Sequence, residues 1–319
     1  MQSSQHRALL HLARNARVLA TFALLFTLES NSPTARATAF DPVADVAGPA
    51  DGVRFDRLQQ TTIHNAFAAG RPLGELLSID GVHSVEIDLH AGKRFHHRLD
   101  HDWFVYHVDL PLLDGTSCDR LTTCLDAIGA RHRALQTHAP ITVFLDVKDP
   151  LLGDHDPATL DATIGARFDR STIFAPRDLL AACPAATTLH DAVRADCDWP
   201  TIGALRGKVM FVLTGGDLCD ASSPIAGYVD FARRSPSRLA FVAAGVTDSC
   251  RPGDGDGGDD VVFFNMDYDH RDAVRSVLDL RAIARVYWGG LDGGLDAPEA
   301  WNVVRQLGAQ FLATDRLRW

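Results

Sequence analysis

The sequence predicts a single α/β domain of the TIM type, a parallel (β/α)8 barrel, and three observations lead there. Short β-prone apolar runs recur along the chain with helical or loop stretches between them. About eight such runs fit a chain of this size, the number a closed parallel barrel needs. No internal repeat and no long low-complexity linker divides the sequence. Length alone leaves two domains open, because 319 residues exceed the roughly 250 of many one-domain barrels. An open doubly wound sheet is the competing arrangement, but no GxGxxG follows an early strand, so its dinucleotide-binding form lacks support.

In chain order the β-prone runs are 61–64, 84–89, 103–107, 141–147, 209–214, 239–243, 261–266, 285–288 and 311–313. Between them, 121–135, 157–168, 271–283 and 297–307 carry apolar residues at helical spacing. Asp156 before Pro157, and Asp296 shortly before Pro298, read as helix starts, since Asp caps orphan amides and Pro tolerates the first turn. The acidic patch at 252–260 lacks the ligand ladder and distal Glu of a calcium loop, and is expected to be an exposed turn.

The first 37 residues differ from the rest. Arg7, Arg14 and Arg17 precede an apolar stretch at 18–28, and Ala35-Arg36-Ala37 offers a small-x-small cleavage site before Thr38. This pattern predicts a secretory signal peptide over 1–37 and one domain over 38–319, hence a secreted or periplasmic protein. The apolar stretch is too short to cross a hydrocarbon core of about 30 Å. The whole chain carries a formal charge of -10; without 1–37, which hold four Arg and one Glu, it is -13. Neither clustered Lys and Arg nor a basic balance is present, which argues against nucleic acid and against tight docking on anionic membranes. Six cysteines, all beyond the leader, are expected to pair as neighbours: Cys118 with Cys124, Cys183 with Cys197, Cys219 with Cys250. No CxxC or Cys/His spacing supports a zinc site.

Chemistry concentrates between residues 61 and 149. One strand ends in His64-Asn65, the next carries Glu86-Ile-Asp88, and a third run ends in His107. Residues two apart on a strand face the same side, so Glu86 and Asp88 point together while Val85, Ile87 and Leu89 face the opposite layer. Two adjacent carboxylates repel unless a cation sits between them, and hard oxygens suit calcium, with magnesium the other ion of that kind. The apolar strand at 141–145 then delivers Asp146, with Lys148 two positions on. In a barrel, strand carboxyl ends converge on one mouth, so these residues are expected to form a metal-assisted acid/base site. His101 and Asp102, with His96 and His97, read as a surface cluster in a loop, a metal site being the alternative. Phe67, Trp103 and Phe104 are candidates for contact with a lipid interface, but aromatic residues beside strands read first as core.

These residues also carry a resemblance. Thr62-Ile63-His64-Asn65-Ala66-Phe67 resembles the THNSY segment of the phosphatidylinositol-specific phospholipase C superfamily. Val85-Glu86-Ile87-Asp88 and Val105-Tyr106-His107 resemble its ELD and VxH segments. The stretches 118–128, 139–149 and 307–315 are similar to its bacterial calcium-dependent branch. The resemblance implies a distorted TIM barrel that cleaves the phosphodiester of a phosphatidylinositol-type lipid to diacylglycerol and a cyclic or linear inositol phosphate. By position, Asn65, Glu86, Asp88 and Asp146 are the implied calcium ligands and His64 and His107 the implied catalytic pair. Lys148 is a candidate to steady the phosphate, or else an ion-pair partner of Asp149 or another acid.

The chain departs from the pattern at Ala66-Phe67, in the histidine-rich loop after Asp88, and at 285–290, where Arg-x-Arg-Ala-Asp is expected. The departures bear on headgroup specificity more than on the metal site. The expected partners are a phospholipid or phosphodiester substrate and a transient membrane surface, the protein acting as a monomer. A glycerophosphodiester phosphodiesterase is the enzymatic rival, although Asn65 stands where Arg-Gly usually follows the first His. A barrel that only binds headgroups is the non-catalytic alternative.

Overall fold

The computed structural model describes residues 51–92, 101–107, 116–194, 197–253, 258–287 and 294–316. The leader at 1–37, His96 and His97 lie outside them. So does part of the acidic patch; at its end, Gly258–Asp260 form a 3-10 turn.

Eight strands form a closed parallel barrel in sequence order. They are β1 (Gln60–Ile63), β2 (Val82–Leu89), β3 (Ile141–Val147), β4 (Val209–Thr214), β5 (Ala240–Gly245), β6 (Phe263–Asp267), β7 (Ile283–Tyr287) and β8 (Phe311–Thr314), and β8 pairs back onto β1. Strand alternation divides the side chains into two apolar layers. Val85, Ile87 and Leu89 join Val143, Leu145, Val147, Phe211 and Leu213 in the layer between sheet and helices. Phe144, Met210, Val212, Phe241, Phe263 and Phe311 belong to a second cluster that also takes in Phe55 and Trp199. Phe144 meets Phe311 edge-on at 5.0 Å, and Trp199 reaches Phe263 at 5.7 Å and Phe55 at 5.6 Å. Aromatics fill much of the barrel interior beside the small hydroxyls of Thr62, Ser84 and Thr142, and charged groups enter at the level of Phe144 and above, as a filled barrel core allows.

The 103–107 run is no strand. β2 pairs directly with β3, from Ser84 opposite Thr142 to Leu89 opposite Val147, so a closed sheet offers the intervening segment no edge to join. Phe104 makes only isolated antiparallel bridges, to His90 and Arg120. Phe67, Trp103 and Phe104 are all buried in the core.

Helix Leu121–Ala134 fills its predicted place, its first turn held by Asp102, which accepts hydrogen bonds from Thr122 N (3.3 Å) and Thr122 Oγ1 (2.5 Å). His101 is exposed, as expected of a surface residue. Helix Pro157–Gly165 starts on Asp156, whose Oδ1 accepts from Thr159 N at 2.7 Å. The 271–283 segment is split: a 3-10 turn, Tyr268–Ala273, runs into helix Val274–Asp279. Asp296 does not cap helix Pro298–Leu307; its Oδ1 instead accepts from Thr314 Oγ1 (2.5 Å) and Asp315 N (3.0 Å), which fixes the end of β8. The three disulfides pair as neighbours, Cys118–Cys124, Cys183–Cys197 and Cys219–Cys250. Among the described residues no helix is long and apolar enough to cross a membrane.

Candidate active site

The register of the barrel assembles the site. Asp88 of β2 lies opposite Asp146 of β3, which lies opposite Thr214 of β4. One position pair below, Glu86 is opposite Phe144. Carboxylate oxygens of Glu86, Asp88 and Asp146 all come within 4.8 Å of one another. Glu86 and Asp88 are almost fully buried, so their mutual repulsion is little screened and cations must answer it.

Two side chains do so. Lys148 places its ammonium on Asp146 Oδ2 and 3.3 Å from Asp88 Oδ1. Of the two readings of Lys148, the ion pair is present, with Asp146 and Asp88. Asp149 is engaged elsewhere, accepting from Ala91 N at 2.9 Å. Burial works against the charged lysine, but the charges of Asp146 and Asp88 outweigh it and raise its pKa. The second cation is Arg285 of β7, itself fully buried. It pairs with Glu86 Oε2, donates to Asn265 Oδ1 at 2.5 Å, and lays its guanidinium 4.7 Å from the Phe144 ring centroid. Asp146 Oδ1 also accepts from Thr214 Oγ1 at 2.9 Å.

His64 follows β1 and carries the ladder one step further, its amide donating to Thr314 O at 3.0 Å. Its Nδ1 lies 3.0 Å from Asp315 Oδ1, just beyond β8, and its Nε2 lies 3.4 Å from Glu86 Oε1. Burial lowers the His64 pKa, yet the Glu86 charge and the Asp315 bond and charge together raise it above the ordinary value. Asn65 adopts a left-handed backbone (φ 48°), which Asn tolerates better than most residues, and turns the chain into Ala66–Ala68. Its Nδ2 is 3.0 Å from His64 Nδ1.

His107 arrives on a loop and not on a strand. Its side chain is 57% exposed, and its Nδ1 lies 3.3 Å from Asp88 Oδ2. That bond, reinforced by the Asp88 charge, raises its pKa against the effect of burial.

His64, Glu86, Asp146, Lys148, Asn265, Arg285 and Tyr287 line one cavity of about 360 Å³ at the carboxyl ends of the strands. Asp88 and Asn65 stand against that lining through Lys148 and His64, and His107 through Asp88. All seven residues singled out in the sequence thus belong to one constellation. Sequence reasoning missed Asn265, Thr214, Arg285 and Tyr287 as members. A signal for the last two was present: Arg285 and Tyr287 stand two apart in an apolar run, the same spacing as Glu86 and Asp88. The Tyr287 ring stacks near His64, with centroids 6.1 Å apart and planes 18° from parallel. Burial, then the Asp267 charge, pushes its hydroxyl up to about 12, so it stays protonated.

The remaining wall is backbone. Gly215 (φ 143°) and Gly216 (φ 101°) follow β4, and a Cβ on Gly215 would come within 2.4 Å of Val147 O. Only glycine permits that approach.

The donor set fits a hard dication. Three carboxylates converge, the Asn65 amide stands beside His64, and Asp88 Oδ1 is buried with the Lys148 ammonium, at 3.3 Å, facing it as an ion pair.

Residues 104–248 match the sequence model of a family described as phosphoinositide phospholipase C, Ca2+-dependent. Among solved structures, a calcium-dependent phosphoinositol-specific phospholipase C from a Pseudomonas species aligns with TM-score 0.69 and 20% identity, covering 87% of this chain and 95% of that one. A Ca2+-dependent phosphatidylinositol-specific phospholipase C from Streptomyces antibioticus aligns with TM-score 0.66 and 23% identity, covering 82% and 95%. No curated protein sequence matches significantly.

Proposed function

We propose, from the match of residues 104–248 to the Ca2+-dependent phosphoinositide phospholipase C model, that this chain is a member of that family and cleaves phosphatidylinositol-type lipids to diacylglycerol and an inositol phosphate. The observation that carries the reading is the convergence of the Glu86, Asp88 and Asp146 carboxylates between two imidazoles.

Asn65, Glu86, Asp88 and Asp146 would hold calcium, which, when bound, supplies positive charge against the phosphate. The other residues divide the work by position. Tyr287 offers a flat ring beside His64 on which a cyclitol can rest, and Arg285 and Asn265 close that end of the cavity with polar atoms. His64 keeps a proton on Nδ1, donating it in a hydrogen bond to Asp315 Oδ1, which leaves Nε2, on the Glu86 side of the cavity, as the base that removes the proton of the neighbouring inositol hydroxyl. That oxygen attacks phosphorus and the bond to the glycerol oxygen breaks. His107, charged beside Asp88 and open to solvent, donates the proton that the leaving diacylglycerol oxygen needs. Lys148 steadies a phosphate oxygen. The first product is cyclic, and water opens it by the same two histidines in reversed roles.

Contact with the lipid surface is transient. It is supported by Leu152, 70% exposed on the loop after β3 at the mouth end of the barrel, while the acidic chain disfavours permanent docking. The proposal includes export, with cleavage before Thr38 and action as a monomer outside the cytoplasm. The disulfides fit an oxidising compartment.

Purified protein assayed on phosphatidylinositol tests this. Activity should require added calcium and vanish with chelator. His64→Ala and His107→Ala should each lose at least about a hundredfold. On an inositol phosphodiester with a nitrophenol leaving group, which needs no protonation, His107→Ala should recover and His64→Ala should not. Near-normal activity of both variants on phosphatidylinositol would defeat the assignment.

A further inference from the structure

At the amino-terminal end of the strands, opposite the site just described, a second cavity of about 470 Å³ opens, lined among others by His132, Arg133, Arg167, Asp169, Arg206 and Lys208. We propose that it is a second binding site, for a ligand bearing more than one phosphate-type negative charge.

The charge balance is the first reason. The chain as a whole is at -10, yet four permanent cations and one acid line this cavity. A local reversal of sign in a concave site raises the local anion concentration.

The second reason is how the cations are held. Lys208 donates to Ser171 O, Arg167 to Thr122 O and Thr163 O (both 3.3 Å), and Arg206 to Thr137 O (3.3 Å). Carbonyls orient a cation without neutralising it. Two carboxylates that reach these groups, Asp51 on Arg206 (2.5 Å) and Asp126 on Arg167 (3.5 Å), are about two-thirds exposed, so solvent screens their hold. Arg133 makes no ion pair among the described residues.

The third reason is rigidity. Gly207 N donates to His138 O (2.9 Å) and Ile141 N to Lys208 O (3.0 Å), so the Arg206–Lys208 turn is pinned to the segment before β3. A Cβ on Gly207 would lie 2.3 Å from Gln136 O, and its φ is 71°, so this approach needs glycine. The third wall is fixed by Phe174 N donating to Val209 O at 2.9 Å. Cations held in place before the ligand arrives lose little freedom on binding. Guanidinium forks match phosphate oxygens bidentately, and cations from three separate segments favour a multivalent oxyanion over a single carboxylate.

Pyrophosphate titrated calorimetrically into the full chain, in calcium-free buffer of low ionic strength, is the test. Variants of this cavity's own cations assign the signal to it and not to the other site. Pyrophosphate should bind, and Arg133→Glu and Lys208→Gln should each weaken it at least about tenfold. Hydrolysis of phosphatidylinositol and the melting temperature should stay unchanged in the exposed Arg133→Glu variant. Co-sedimentation with phosphatidic acid vesicles, whose headgroup is a doubly ionisable phosphate, over phosphatidylcholine controls, separates the sources. Vesicle binding lost in the same variants makes a lipid headgroup the ligand; pyrophosphate binding alone makes it a soluble phosphate. No binding of either probe, or variants that bind as tightly as the parent, overturns the proposal.

Discussion

Arg285 is the residue on which the site's electrostatics turn. It is fully buried and sits between Glu86, Asn265 and the face of Phe144, so removing it strands a buried carboxylate. Breaking a buried pair from one side costs about 3–5 kcal/mol. Arg285→Met should therefore lower the urea-unfolding free energy by that order in calcium-free buffer. Added calcium should restore part of the loss, because it replaces the missing positive charge beside Glu86; a variant as stable as the parent without calcium would contradict this. Glu86 and Asp88 were legible in the sequence because two charges at strand spacing with apolar neighbours on both sides demand a cation. Arg285 and Tyr287 obey the same spacing, but they come from a strand about two hundred positions away. Nothing local joins them to Glu86, and only the closing of the sheet does.

At the scale of elements, the strands were legible wherever an apolar run bordered the barrel wall. The 103–107 run failed because pattern alone does not reveal that β2 and β3 already fill each other's edges. Asp156 behaved as the helix start it reads as, whereas Asp296 found stronger donors in Thr314 and Asp315, a tertiary choice invisible at that position in the sequence. The end of β4 is also a matter of tertiary contact. Gly215 runs so close to Val147 O that a methyl group there must push β3 or bend β4. Gly215→Ala should cost about 1–3 kcal/mol in backbone strain. It should also lower kcat against phosphatidylinositol by displacing Lys148, which adjoins Val147. A second element-level expectation concerns Leu152: Leu152→Ser should raise the apparent KM on vesicles and leave the rate on a soluble inositol phosphodiester unchanged. Equal effects on both substrates would remove Leu152 from the lipid contact.

For the whole molecule, two half-buried groups away from the site give stability opposite slopes with pH. Burial, then the charges of His138, Arg206 and Arg131, pushes His83 down to about 4 from the usual 6.5, so the fold holds its neutral form. Its contribution is complete above pH 6.5 and is lost as pH falls toward 4, by up to about 3 kcal/mol. Burial pushes Asp161 up to about 6 from 3.8, although Tyr228 Oη donates to it at 2.6 Å. That contribution is complete below the unfolded value and is lost as pH rises through about 6. Urea midpoints measured from pH 6.5 down to 4 should accordingly fall less in His83→Gln than in the parent, and a parallel decline in the two proteins would show that His83 carries no such load.

The aromatic floor built by Phe55, Trp199, Phe263 and Phe311 makes the barrel a cup instead of a tube. Whatever enters past His107 has to leave by the same doorway, so a greasy product and a water-loving one must depart in sequence through a shared exit. In the proposed reaction the tail would withdraw by lateral diffusion in the bilayer, and the ring, resting deeper against Tyr287, would stay behind for water to follow it in.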